Sequence, residues 1–155
     1  MNNIHKSLLF LFSCMLLLSF SSKAQMIKDP TSWTFEAKKK SGNTYQFIFH
    51  LNLTTGWHIW SLHPGGDGYE ISPSFTFANN THLKLTGSVT EKGKTTTTKM
   101  EGIEGKITYL NGKIDYIQEA TITGKGKFFG TLNYQVCNDK MCLPPKDKSF
   151  VFEIK

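Results

Sequence analysis

Residues 45–53 read YQFIFHLNL, and the alternation in this stretch decides the fold. Tyr45, Phe47, Phe49, Leu51 and Leu53 share one parity, while Gln46, His50 and Asn52 share the other. Successive side chains of a strand point to opposite faces, so the pattern is that of a strand with one buried and one solvated face. The same period of two extends in both directions. Trp33, Phe35 and Ala37 lie upstream; Leu83, Leu85 and Val89, then Ile107 and Tyr109, Ile114 and Tyr116, and Phe150, Phe152 and Ile154 lie downstream. Ser41-Gly42-Asn43, Pro64 to Gly68, Asn79-Asn80, Asn111-Gly112 and Gly124-Lys125-Gly126 separate the runs as turn signals. Asn111-Gly112, set between two alternating runs, predicts a hairpin. No stretch of about ten residues carries the 3.6-residue period of a helix. Short strands with polar turns between them predict an all-β protein, an immunoglobulin-like antiparallel β-sandwich, with a closed barrel as the alternative. His63 to Pro73 and Glu91 to Gly105, the latter with Thr95 to Thr98 and the pair Gly102 and Gly105, are predicted as loops.

The N-terminus follows a different rule. Lys6 precedes the apolar run LLFLFSCMLLLSF (8–20) and then Ser22-Lys23-Ala24, the layout of a cleaved signal peptide covering residues 1–24. The expected mature chain, 25–155, is one domain in size, with no membrane span, and is periplasmic or secreted. Cys14 leaves with the leader, so an oxidising compartment receives a protein with two cysteines. All 18 basic residues are lysine. Without arginine there is no bidentate reader of phosphates or bases, and the lysines are spread along the chain, which argues against nucleic acid as a partner.

The two cysteines lie in YQVCNDKMCLPP (134–145). Phe128, Leu132, Tyr134 and Val136 hold the apolar parity, and Cys137 falls on the other; a regular strand would turn its sulfur away from the core. Asn138 to Met141 is long enough to fold back and bring Cys142 opposite Cys137, at a spacing a disulfide tolerates. So short a ring adds only ~2 kcal/mol through loop closure. Lys140 favours a thiolate and Asp139 opposes one, so the local charges do not decide reactivity. Pro144-Pro145 has no amide donors and keeps the following chain out of a regular ladder. The residues alone leave three readings open: a redox pair, a structural staple and half of a metal site. A metal would have to recruit His58 and His63, or His50 and His82, and the C-x4-C spacing is not a strong zinc signature. No metal or other cofactor is assigned.

The segment also resembles the active-site segment of the N-terminal periplasmic domain of the DsbD family of membrane thiol:disulfide reductases. The matching residues are Tyr134, Gln135, Cys137, Asp139, Cys142, Pro144 and Pro145. Gly56-Trp57-His58-Ile59-Trp60-Ser61, followed by Ile71-Ser72-Pro73, resembles an aromatic strand of the same domain. The resemblance implies an immunoglobulin-like domain whose cysteine pair cycles between dithiol and disulfide. Cys142 would form mixed disulfides and Cys137 would resolve them. The implied partners are thioredoxin-like periplasmic proteins, including those of cytochrome c maturation, or a membrane electron-transfer protein. The family guards its cysteines with a cap loop bearing an aromatic; that aromatic has no clear counterpart here, and the candidate cap loop is Glu91 to Gly105, with Ile103 or Met100 as the apolar lid. His58 and Trp60 stand where the family often has tyrosines. The membrane and thioredoxin-like domains of the family are not within these 155 residues, so the expectation is a stand-alone module supplied with electrons by another protein.

Overall fold

The computed structural model describes residues 28–155; the leader, its cleavage point and Cys14 lie outside them. The alternating runs become nine strands: β1 (Thr31–Ser41), β2 (Thr44–Leu53), β3 (His58–Gly65), β4 (Ser74–Phe77), β5 (Leu83–Thr98), β6 (Ile107–Ile122), β7 (Gly126–Tyr134), β8 (Val136–Cys137) and β9 (Lys146–Ile154). Six of them form one sheet in the order β1-β2-β6-β3-β8, with β5 on the opposite edge of β6; β4-β7-β9 form the other. Every pairing is antiparallel. The result is an immunoglobulin-like β-sandwich. No helix of the described residues is long and apolar enough to cross a membrane.

The opening stretch supplies the centre of the core. Phe47 and Phe49 of β2 are fully buried and meet Phe150 and Phe152 of β9 across the two sheets. Phe47 stacks on Phe152 with ring centroids 4.3 Å apart, and Phe49 meets Phe150 edge-on at 4.8 Å. Burying one such ring contributes ~2–3 kcal/mol, and each well-oriented aromatic pair adds ~1 kcal/mol. One glycine is required here. A Cβ on Gly130 would collide with the ring of Phe150 and with the backbone carbonyl of Thr76, so only glycine lets β4, β7 and β9 close over this core.

Three loop expectations are corrected. Asn111-Gly112 does not turn a hairpin; β6 runs straight through it. Lys94 pairs with Asn111 and Gly93 with Ile114, so Gly112 and Lys113 bulge out, with Gly112 at φ 70°. Two extra residues preserve side-chain parity, and Leu110 and Ile114 both reach the inter-sheet core. The bulge sits where β6 changes partner, from β2 at Lys113 to β3 at Asn111. Glu91 to Thr98 is strand, paired with β6, which leaves only 99–106 as the loop. His63 to Gly65 likewise belongs to β3.

Candidate functional site

The cysteine segment lies where the chain crosses between sheets. Tyr134 ends β7 paired with Lys146 of β9, and the next strand, β8, pairs Val136 with Ile59 and Cys137 with His58 in the larger sheet. Gln135 is the crossover residue; its Nε2 donates to the carbonyl of Leu143 at 3.0 Å, tying the chain before the first cysteine to the chain after the second. Asn138 then closes the turn. Its Oδ1 accepts from the amides of Lys140 at 2.8 Å and Met141 at 2.9 Å, and its own amide donates to the Met141 carbonyl at 2.9 Å. The Leu143 amide donates to Val136 at 2.9 Å, and the Leu143 side chain is buried in the main core. These bonds flank the cysteines and make them the closely spaced, non-hydrogen-bonded pair of an antiparallel ladder. Their Cα atoms are 3.9 Å apart and a disulfide joins them. Asn138 and Leu143 were not singled out in the sequence. An asparagine opening a polar connection is the signal for the first, and Leu143 carried only its apolar character.

The two cysteines have unlike surroundings. Cys142 is exposed, whereas Cys137 is 2% exposed. As the strand parity predicts, Cys137 faces away from Leu132, Tyr134 and Val136, yet it is buried all the same. On the outward face of the larger sheet it joins a second apolar cluster with Trp60 and Ile107. Half-buried Met100 and Ile103, from the loop between β5 and β6, pack over this cluster beside Tyr109. The Ile103 amide donates to the Met100 carbonyl at 3.3 Å, closing a turn that presents both side chains to the same patch.

His58, the cross-strand neighbour of Cys137, is also buried, at 5% exposure. Its ring lies 4.4 Å from that of Tyr109 and 5.1 Å from that of Trp60, centroid to centroid. Its Nε2 is buried without a hydrogen-bond partner. Burial holds the imidazole below its ordinary pKa, and the Asp139 carboxylate opposes this only in part, so the ring is neutral near pH 7. His58 and Asp139 line a cleft of about 350 Å³ together with Trp57, Tyr109 and Asn111. Lys140, Pro144 and Pro145 are exposed around the hairpin. Tyr134 lies apart from the disulfide. Its ring faces Trp33 in the main core, and its hydroxyl donates to Asp29 at 3.3 Å. Asp29 also pairs with Lys146 at 2.9 Å, so Tyr134 anchors the base of the hairpin. Among the described residues, no three His, Cys, Asp or Glu side chains gather as a metal site would require.

Comparison with known proteins agrees with this geometry. Residues 23–154 match the family described as "Thiol:disulfide interchange protein DsbD, N-terminal". The N-terminal periplasmic domain of ScsB from Proteus mirabilis superposes with a TM-score of 0.62 at 15% identity, over 81% of this chain and 47% of that one; this chain thus spans about half of its length. The Neisseria meningitidis DsbD N-terminal domain, solved in the reduced form, gives a TM-score of 0.53 at 14% identity, over 78% of this chain and 84% of that one. At these identities the likeness is one of fold. No curated protein matches this sequence. The family match spans both sheets and the whole cysteine hairpin: the chain belongs to the family of the N-terminal domain of the thiol:disulfide interchange protein DsbD.

Proposed function

We propose that this chain is an exported thiol:disulfide exchange module that passes reducing equivalents between thioredoxin-like proteins, or from a membrane electron-transfer protein to one of them. The observation that carries the reading is the asymmetry of the disulfide, with Cys142 exposed and Cys137 buried. Exchange proceeds by attack of a thiolate on one sulfur of a disulfide, and access selects the sulfur attacked. A donor thiolate reaches Cys142, forms a mixed disulfide there and releases Cys137 as the leaving thiolate. A second donor thiol then resolves the mixed disulfide, leaving the pair reduced and the donor oxidised. In the next half-cycle the Cys142 thiolate attacks an acceptor disulfide and Cys137 resolves it. Exposed Met141, adjacent to Cys142, offers an apolar contact to a docking protein. Tyr134, Gln135, Asp139, Lys140, Pro144 and Pro145 hold and flank the hairpin, while Met100 and Ile103 serve as the lid over Cys137. The leader read in residues 1–24 supports a periplasmic or secreted location, and 25–155 is the working domain.

The test is covalent capture. A Cys137→Ser protein, exposed to periplasmic thioredoxin-like proteins, should accumulate a mixed disulfide on Cys142, and a Cys142→Ser protein should not. Equal capture at both sulfurs, or none at either, removes the relay reading and leaves an immunoglobulin-like binding module with a structural disulfide.

A further inference from the structure

The relay reading leaves unexplained how a buried thiol becomes a nucleophile. Cys137 must attack Cys142 as a thiolate, yet it lies among Trp60, Ile107, Met100 and Ile103, surroundings that disfavour a charge. A proton acceptor has to be close and in the basic form. We infer that His58 takes the proton of Cys137 during resolution of the mixed disulfide, with the adjoining cleft as the route by which that proton reaches solvent. The inference rests on the proposed exchange activity of the same cysteine pair.

Three observations place His58 in this role. It is the register partner of Cys137, and cross-strand partners project from the same face of a sheet a few ångströms apart. Its Nε2 is buried with no hydrogen-bond partner, so the imidazole keeps an unused acceptor or donor position. It lines a cleft that also contains Asp139, an exposed carboxylate of the hairpin turn. The ionisable groups around it are Tyr109 from β6, Cys137 from β8 and Asp139 from the turn; Trp60, on its own strand, is not ionisable. A purely structural histidine buried at this depth would be expected to use both ring nitrogens.

The Cys142 thiolate has attacked the target disulfide, and one target sulfur has left. Cys137 passes its proton to His58, and the new thiolate attacks the Cys142 sulfur. The Cys137–Cys142 bond forms, the Cys142–target bond breaks, and the electron pair leaves on the second target sulfur. That sulfur is protonated by the imidazolium or by water from the cleft. Two electrons have moved from the cysteine pair to the target.

The probe is 5,5′-dithiobis(2-nitrobenzoate), mixed in stopped flow with the fully reduced protein. The first chromophore released reports attack by Cys142, and the second reports attack by Cys137. His58→Gln should leave the first phase unchanged and slow the second about 100-fold, as loss of a proton acceptor does. In the unsubstituted protein the second phase should slow on acidification with a midpoint below that of an ordinary histidine, and this holds as a test even where the variant folds poorly. A second phase in His58→Gln with the same rate and pH profile overturns the inference, as does an unsubstituted profile lacking that midpoint. The reagent needs no protein partner, so a His58-dependent second phase without capture by thioredoxin-like proteins would defeat the relay proposal alone.

Discussion

On the inward face of the larger sheet, Phe47, Phe49, Leu110 and Ile114 lie beneath a second sheet; on its outward face, Trp60, Ile107 and Cys137 are covered, among the described residues, by half-buried Met100 and Ile103 beside Tyr109. The same strands serve both clusters. β6 sends Leu110 inward and Ile107 and Tyr109 outward, and β8 does likewise with Val136 and Cys137. A core closed by a hydrogen-bonded sheet opens only when the domain unfolds, whereas one closed by a short loop can open locally at much lower free energy. On the proposed reading the difference divides the labour: one cluster sets stability, and the other sets access to a sulfur.

Phe49→Ala removes a fully buried ring in contact with Phe35, Phe75, Phe77, Phe150 and Phe152, and should cost about 4 kcal/mol in a urea unfolding curve. A loss below 1 kcal/mol would mean that the inter-sheet core is not the stabilising one. Ile107→Ala, at the floor of the outward cluster, should cost about 2–3 kcal/mol and also expose the sulfur. In a reduced Cys142→Ser background its Cys137 should be alkylated faster by iodoacetamide, an effect Phe49→Ala should lack while folded. In Ile103→Ala, about 1 kcal/mol less cover should translate into roughly fivefold faster alkylation of Cys137, with little change in the unfolding midpoint. Unchanged alkylation would show that the loop is not the lid.

The smallest effect lies away from both clusters. On the solvated side of β2, His50 sits between Asp115 at 2.7 Å and Glu36 at 3.2 Å. Partial burial disfavours its charge, but the hydrogen bonds to Asp115 and then Glu36 outweigh this and raise its pKa. A raised folded pKa gives stability that is fully present below the unfolded value and lost as pH rises through the folded one. The groups are well exposed, so solvent screening limits the gain: His50→Gln should cost about 0.5 kcal/mol at acid pH and converge with the parent at alkaline pH. A deficit that grew with pH would reverse the assignment.

Much of this arrangement can be read from residues. The parity of Tyr45 to Leu53 places the core face of β2, and the parity of Cys137 turns it off that face. What parity leaves out is what covers a side chain on the outer face. Met100 and Ile103 are remote in sequence and reach Cys137 only because β5 pairs with β6 through Thr98. Thr95 to Thr98 carry no apolar alternation, so a strand held by its ladder looked like a loop. Asn111-Gly112 supplies a residue at positive φ, which a bulge uses as readily as a hairpin. The crossing between sheets at Gln135 leaves no mark, because Tyr134 and Val136 both face the same core on either side of it. The role proposed for His58 rests on its register with Cys137, which a sequence does not display.

The reduction potential of the Cys137–Cys142 pair separates a relay from a staple, and it is obtained by equilibrating the folded protein with a thioredoxin-like protein of known potential and quantifying free thiols. An electron relay should equilibrate within the range of such proteins, roughly −270 to −120 mV. A disulfide that stays closed in the presence of excess reduced thioredoxin-like protein, with a potential below about −300 mV, would be a structural staple and would contradict the account.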